Sequence, residues 1–106
     1  MDAALKALAE PRRRDILRLV WSEELAAGEI AARFDVTRPA ISQHLRVLAE
    51  AELVTERRDG TRRLYRARPD TLREVQDFLA GFWDQRLDRL RDLAEAAERE
   101  QGDDDG

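Results

Sequence analysis

Apolar positions along the chain fall first into short helical stripes, then into an alternating stretch, then into one long helical seam. Residues 3–9 are helix formers, and Pro11 marks the first turn of a second helix, where proline is tolerated. Ile16, Leu17, Leu19, Val20 and Trp21 give that second helix a wide apolar face. A short third helix is expected over residues 27–34, with Ile30, Ala31 and Phe34 on one stripe and Gly28 weakening its start. Asp35-Val36-Thr37 interrupts the period, and Thr37 is suited to cap a fourth helix over residues 38–51 with Pro39 in its first turn. Ile41, Leu45 and Leu48 define the buried face of this helix, whereas Pro39, Ser42, Gln43 and Arg46 fall on the opposite side. Two short helices joined by a tight turn predict a helix-turn-helix.

From Leu53 the pattern becomes extended, over residues 53–57 and again over 62–68. Asp59-Gly60 between the two runs is a strong hairpin signal, because both central residues of the tightest turn need positive φ. Arg62, Arg63, Arg66 and Arg68 make the return strand basic around Leu64-Tyr65. A helix-turn-helix followed by a basic hairpin predicts a winged helix, mainly α with a small β-hairpin. Pro69 ends the strand, and Asp70 or Thr71 is placed to cap a last helix reaching about residue 100. Leu72, Val75, Leu79, Trp83, Leu87, Leu90, Ala94 and Ala97 recur at three- and four-residue steps, close to the coiled-coil repeat. Phe78, Phe82 and Leu93 widen this seam, and no further segment remains to cover it, so a second copy is the expected partner. The folded unit is expected over residues 1–101, with 102–106 as a disordered acidic tail.

Composition narrows the chemistry. A chain of 106 residues allows one small domain near the marginal end of stability. The absence of cysteine excludes disulfides, thiolate zinc sites and a cysteine nucleophile. The single histidine, His44, excludes a histidine-cluster metal site within one chain, so no metal and no cofactor is expected. Apolar runs are too short to span a membrane and no export segment is evident, which makes the cytoplasm the default compartment. The net charge of -4 conceals an asymmetry: residues 31–68 carry nine arginines against five acids, and residues 69–106 five arginines against twelve acids. A basic middle in an acidic frame suits a nucleic-acid surface, because potential acts over a Debye length and the total charge does not.

With these elements placed, the residues resemble a known family. Pro11-Arg12-Arg13-Arg14-Asp15-Ile16-Leu17, Gly28-Glu29-Ile30-Ala31, Ser42-Gln43-His44-Leu45-Arg46-Val47-Leu48, Ala51-Glu52-Leu53-Val54 and Gly60-Thr61-Arg62-Arg63-Leu64-Tyr65 follow the order found in ArsR/SmtB-type winged-helix repressors. Phe82-Trp83, Arg86-Leu87 and Arg89-Leu90 resemble the SdpR-like, metal-independent branch. The resemblance implies a homodimer built on the first and last helices, a recognition helix in each of two major grooves of a palindromic operator, and repression of the protein's own operon. Leu5, Leu8, Leu72, Val75, Leu79, Phe82, Trp83, Leu87 and Leu90 are the expected interface. Two departures stand out. The cysteine pair of metal-sensing relatives is replaced by Ala26 and Gly28, and the last helix has no histidine, so neither known metal site is expected. Glu52 stands where the family usually has glycine, which points to local strain or to a shifted helix end.

Gln43 and Arg46 are residue types that read adenine and guanine edges in a major groove. Thr37, Arg38, Pro39 and Ser42 sit at the helix entry, where phosphates are held. His44 lies at the boundary of the buried face, suited equally to a packed hydrogen bond to the third helix and to a phosphate contact. Of the hairpin arginines, Arg58, Arg62 and Arg63 are the expected DNA contacts; Arg12, Arg13 and Arg14 are read as solvated. Double-stranded DNA is the expected partner, with no ligand class indicated for an effector. A winged-helix protein-interaction module without DNA binding is the alternative. No nucleophile and base pairing, phosphate loop or metal constellation supports an enzyme.

Overall fold

The computed structural model describes the backbone of residues 1–104 and the side chains of residues 1–100. Its first two helices are joined by arginines rather than by apolar contact alone. Pro11 opens α2 (Pro11–Leu19), and the residues just after it reach back to finish α1 (Asp2–Leu8). Arg13 Nε donates to the Ala7 carbonyl at 2.6 Å and Nη2 to that of Lys6 at 3.2 Å, while Arg14 Nη1 donates to that of Leu8 at 2.7 Å. The Ala7 and Leu8 carbonyls are ones that a helix C-terminus leaves without an intrahelical partner, whereas that of Lys6 also accepts the Ala9 N–H at 3.2 Å. Arg12 lies over the Phe34 ring, 5.0 Å from its centre. The expectation of a solvated arginine cluster is therefore corrected: all three side chains are half-buried and engaged.

The helix-turn-helix consists of α3 (Ala27–Ala31) and α4 (Arg38–Glu50). Thr37 caps α4, its hydroxyl oxygen accepting the Ala40 N–H at 3.3 Å. At the far end Leu53 N–H bonds to the Leu48 carbonyl at 2.9 Å and Glu52 N–H to that of Ala49 at 3.0 Å. This is the paired 6→1 and 5→2 closure of a Schellman motif, and it puts Glu52 at a φ of 60°, where glycine is favoured. Leu48 and Leu53, both fully buried, supply the apolar contact that accompanies the motif.

The hairpin strands are β2 (Val54–Asp59) and β3 (Arg62–Ala67), with Asp59 opposite Arg62. The turn is therefore Gly60-Thr61, not Asp59-Gly60, and Gly60 alone has positive φ, at 64°. That is the type II′ pattern, with glycine first. A two-residue strand, β1 (Leu25–Ala26), pairs with the other edge of β3 and makes the sheet three-stranded in the order β1-β3-β2. So short a strand leaves no alternation to read in a sequence.

The last helix, α5 (Pro69–Asp104), passes through the division between two units, Met1–Val75 and the residues from Gln76 onward, a division that the single unit expected over 1–101 did not include. In the first unit Ile16, Val20, Ile30, Ile41, Leu45, Leu48 and Leu53 form the fully buried centre. Leu5, Leu8 and Leu72 pack partly against it, and Val75 is buried outright. Val75 is thus a core residue and not part of an open dimer face, because the first turns of α5 complete the core of their own chain. In the second unit Leu79, Phe82, Trp83, Leu87 and Leu90 are exposed by 40% to 61%, although all are large and apolar. Phe82 and Trp83 meet edge to face at 6.3 Å, and Arg86 lies over Phe82. The helix continues through Asp104, beyond the boundary expected at 101; a lone glycine such as Gly102 costs about 1 kcal/mol relative to alanine and does not by itself end a helix. Residues 105–106 of the expected tail lie outside the described residues. Among the described residues no helix is long and apolar enough to cross a membrane.

Candidate nucleic-acid interface

The capping that starts α4 also aims it. With Ile41, Leu45 and Leu48 buried, the period of the helix leaves Pro39, Ser42, Gln43 and Arg46 exposed on the other side, as the sequence predicts. Among the described residues Arg38 and Arg46 form no ion pair. The guanidinium of Arg38 leans over α3, close enough that a Cβ added at Gly28 would stand 3.6 Å from it. Arg38, Ser42 and Arg46 share a cleft of about 790 Å³ with Thr61, Arg62 and Arg63 of the hairpin. Half of the expected DNA contacts are therefore brought together. Thr37, Pro39, Gln43 and Arg58 lie outside the walls of this cleft.

His44 is turned away from that surface. Its Nδ1 stands 3.5 Å from Arg13 Nη1, on α2 and not on the third helix. Burial, and then the Arg13 charge, hold its pKa below the ordinary histidine value, so the ring is neutral near pH 7. Since a guanidinium only donates, Nδ1 is the acceptor. Of the two roles expected for His44, the packed one has a partner here, on α2 in place of the third helix.

The hairpin arginines differ from those of α4 because carboxylates hold them. Arg57 grips Glu24 with two nitrogens, Nη2 at 2.6 Å and Nε at 3.0 Å. This contact holds the Glu24 carboxyl below its usual range and raises Arg57 further. Arg63 pairs with Glu56 at 3.3 Å, and Arg62 Nη2 donates to Glu29 Oε1. Arg58 faces Arg63 across the hairpin and forms no ion pair among the described residues. Two like charges directly opposed repel, and the Glu56 carboxylate offsets that repulsion. Tyr65, whose pKa is raised chiefly by burial, also lines the cleft. Glu29, Glu50 and Glu56 are residues of the cleft that the sequence reading did not single out. The contact between positions 29 and 62 follows from the pairing of Ala26 with Leu64, which the sequence does not display.

A helix-turn-helix domain model matches residues 8–57. The HTH-type transcriptional regulator Rv2034 of Mycobacterium tuberculosis is 41% identical over 103 residues, which cover 97% of this chain and 92% of that protein. The transcriptional repressor SdpR of Bacillus subtilis is 33% identical over 82 residues, 77% of this chain and 91% of the repressor. Among solved structures, a possible transcriptional regulator for arsenical resistance superposes with a TM-score of 0.72 at 47% identity, covering 82% of this chain and 91% of that one. The chain belongs to the ArsR/SmtB family of helix-turn-helix transcriptional regulators. A further relative of this family is the homodimeric winged helix-turn-helix DNA-binding domain of a possible ArsR-family regulator from Mycobacterium bovis, with a TM-score of 0.65 at 34% identity over 76% of this chain and 77% of that one.

Within this ArsR/SmtB regulator, Ala26 and Gly28, the positions read as cysteines in metal-sensing relatives, line the cleft beside Arg38. Neither side chain can ligate a metal. Among the described residues no group of three or more His, Cys, Asp or Glu side chains is placed to hold an ion.

Proposed function

We propose that two copies of this chain form a repressor that binds a palindromic operator, its own upstream region included. One observation carries the reading: the exposed face of α4, with Ser42 and Arg46, opens into the same cleft as the wing arginines. In the proposed docking Gln43 and Arg46 read base edges in the major groove, and Thr37, Arg38, Pro39 and Ser42 hold phosphates where the helix enters. Arg58, Arg62 and Arg63 reach phosphates flanking the groove. The apolar face of Leu79, Phe82, Trp83, Leu87 and Leu90, exposed in one chain, is the proposed contact with the second, joined by Leu5, Leu8 and Leu72. Relatives named as repressors, and one solved as a homodimeric DNA-binding domain, support this assignment. Metal ions play no part in it.

The test is fluorescence anisotropy with the DNA upstream of the protein's own gene and with a scrambled duplex, over a series of salt concentrations. The expected result is operator binding tighter by about a thousandfold or more, weakening steeply with salt. Equal affinity for both duplexes would overturn sequence-specific recognition. Sedimentation at micromolar concentration is expected to give a dimer, and a monodisperse monomer would overturn the paired docking. Zinc, cadmium or arsenite added after chelator treatment should leave operator affinity unchanged.

A further inference from the structure

Glu29 is a carboxylate built into a cleft that, on the reading above, faces polyanionic DNA. Its position is fixed by the fold: Oε1 accepts the Ala26 N–H at 3.1 Å, the reach-back bond that starts α3. The same oxygen accepts from Arg62 Nη2, so one carboxylate ties the start of α3 to the residue that follows the wing turn. Both side chains are about half exposed, 54% for Arg62 and 47% for Glu29. Water therefore screens the pair, and its net strength is small. A phosphate oxygen offers Arg62 the same charge-assisted hydrogen bond. Glu29, held by the backbone, cannot follow Arg62 outward.

We propose that Glu29 is an internal competitor for DNA phosphate: it occupies Arg62 in the unbound protein, and docking exchanges carboxylate for phosphate at that guanidinium. Every duplex must displace the same contact, so Glu29 lowers affinity without choosing among sequences. It sets how tightly the wing closes, and it rests on the DNA-binding reading above.

The test is a double-mutant cycle on the full-length dimer, with the same operator and scrambled duplexes. Glu29→Gln keeps an acceptor for the Ala26 N–H and removes the charge. It should tighten binding to both duplexes by about two- to fivefold, the scale of an exposed ion pair. Arg62→Ala should then weaken binding more in the Glu29→Gln background than in the wild type, by that same factor. Glu50→Gln removes a charge from the same cleft and serves as the control for electrostatics alone: the loss caused by Arg62→Ala should be the same with it as in the wild type. An equal loss from Arg62→Ala in the wild type and in Glu29→Gln overturns the competition, as does weaker binding by Glu29→Gln. If the wild type binds neither duplex at any salt, the DNA-binding reading falls and this inference falls with it. If the wild type binds and the cycle gives no coupling, only the role of Glu29 falls.

Discussion

The recognition helix and the wing carry the same kind of side chain and present it in opposite ways. On α4, Arg38 and Arg46 stand exposed with no carboxylate partner among the described residues; on the hairpin, Arg57, Arg62 and Arg63 each have one. The cause is geometric. A helix face meets its own residues three and four positions away, and the one acid so placed for the stripe of Pro39, Ser42, Gln43 and Arg46 is Glu50, which forms no ion pair with Arg46 among the described residues. A central strand has neighbours on both edges, so β3 meets Glu56 on one side and the segment bearing Glu29 on the other. The basic excess of residues 31–68 is therefore not uniformly available to a partner. Arginine on α4 is displayed, whereas much of the arginine on the wing must be released.

The contrast requires α4 to be rigidly seated, and the largest effect is expected there. Leu48→Ala removes a fully buried side chain that also closes the helix end against Leu53, and should cost about 2 to 5 kcal/mol in chemical denaturation. A loss well under that range would mean that α4 is not held by the core. Next comes the split in binding. Arg46→Ala should cost about 1 to 3 kcal/mol on the operator and relax preference at one base pair. Arg63→Ala should weaken operator and scrambled duplexes alike and lower the slope of log affinity against log salt by about one. If the two variants exchanged these behaviours, the contrast between reading helix and charge-holding wing would be reversed.

The joint between the two regions gives a smaller effect of the opposite sign. Glu52, left-handed at the point where α4 turns into β2, should gain about 1 kcal/mol of stability when replaced by glycine, read as a raised melting temperature. The Thr71 hydroxyl donates to the backbone carbonyl of residue 52 at 2.6 Å and is kept in either variant, so no change would mean that the left-handed position costs Glu52 little. The smallest effect separates the wing from its tether. Glu24 is held below its usual pKa by Arg57, so the pair stabilises the fold above the ordinary glutamate range, and that contribution is lost as pH falls through the lowered value. Arg57→Ala should melt below the wild type at neutral pH, and the two should converge as acidification passes through the lowered Glu24 value. A constant difference down to pH 2 would assign the effect to packing of the arginine stem.

What could be read from the sequence was what neighbouring residues decide. Pro11 and Thr37 place the starts of α2 and α4, the stripe of Ile41, Leu45 and Leu48 gives the buried face, and the family's missing glycine locates the strain at Glu52. What escaped was set by distant contacts. Arg13 and Arg14 finish a helix that precedes them, Val75 joins the core through the fold of α5, and β1 exists only as a partner for β3. The turn moved by one residue because glycine alone satisfies a type II′ corner, leaving Asp59 in the strand. The walls of the candidate site were half legible: its cations are conspicuous in the sequence, but the acids that hold them are brought close only by sheet register.

The long reach of α5 links the protein's lifetime to its abundance. From residue 76 to 104 the helix extends about 43 Å at 1.5 Å per residue, and its apolar side chains are open to water in a single chain. Helices in proteins draw most of their stability from packing, so this half should fray when unaccompanied. In the proposed dimer, each tenfold dilution lowers the free energy of association by about 1.4 kcal/mol, and melting becomes concentration-dependent. Growth and division would then act on the regulator beyond simple dilution. Fewer copies per cell would mean a larger share of single chains with opened helices, the form that proteases clear first.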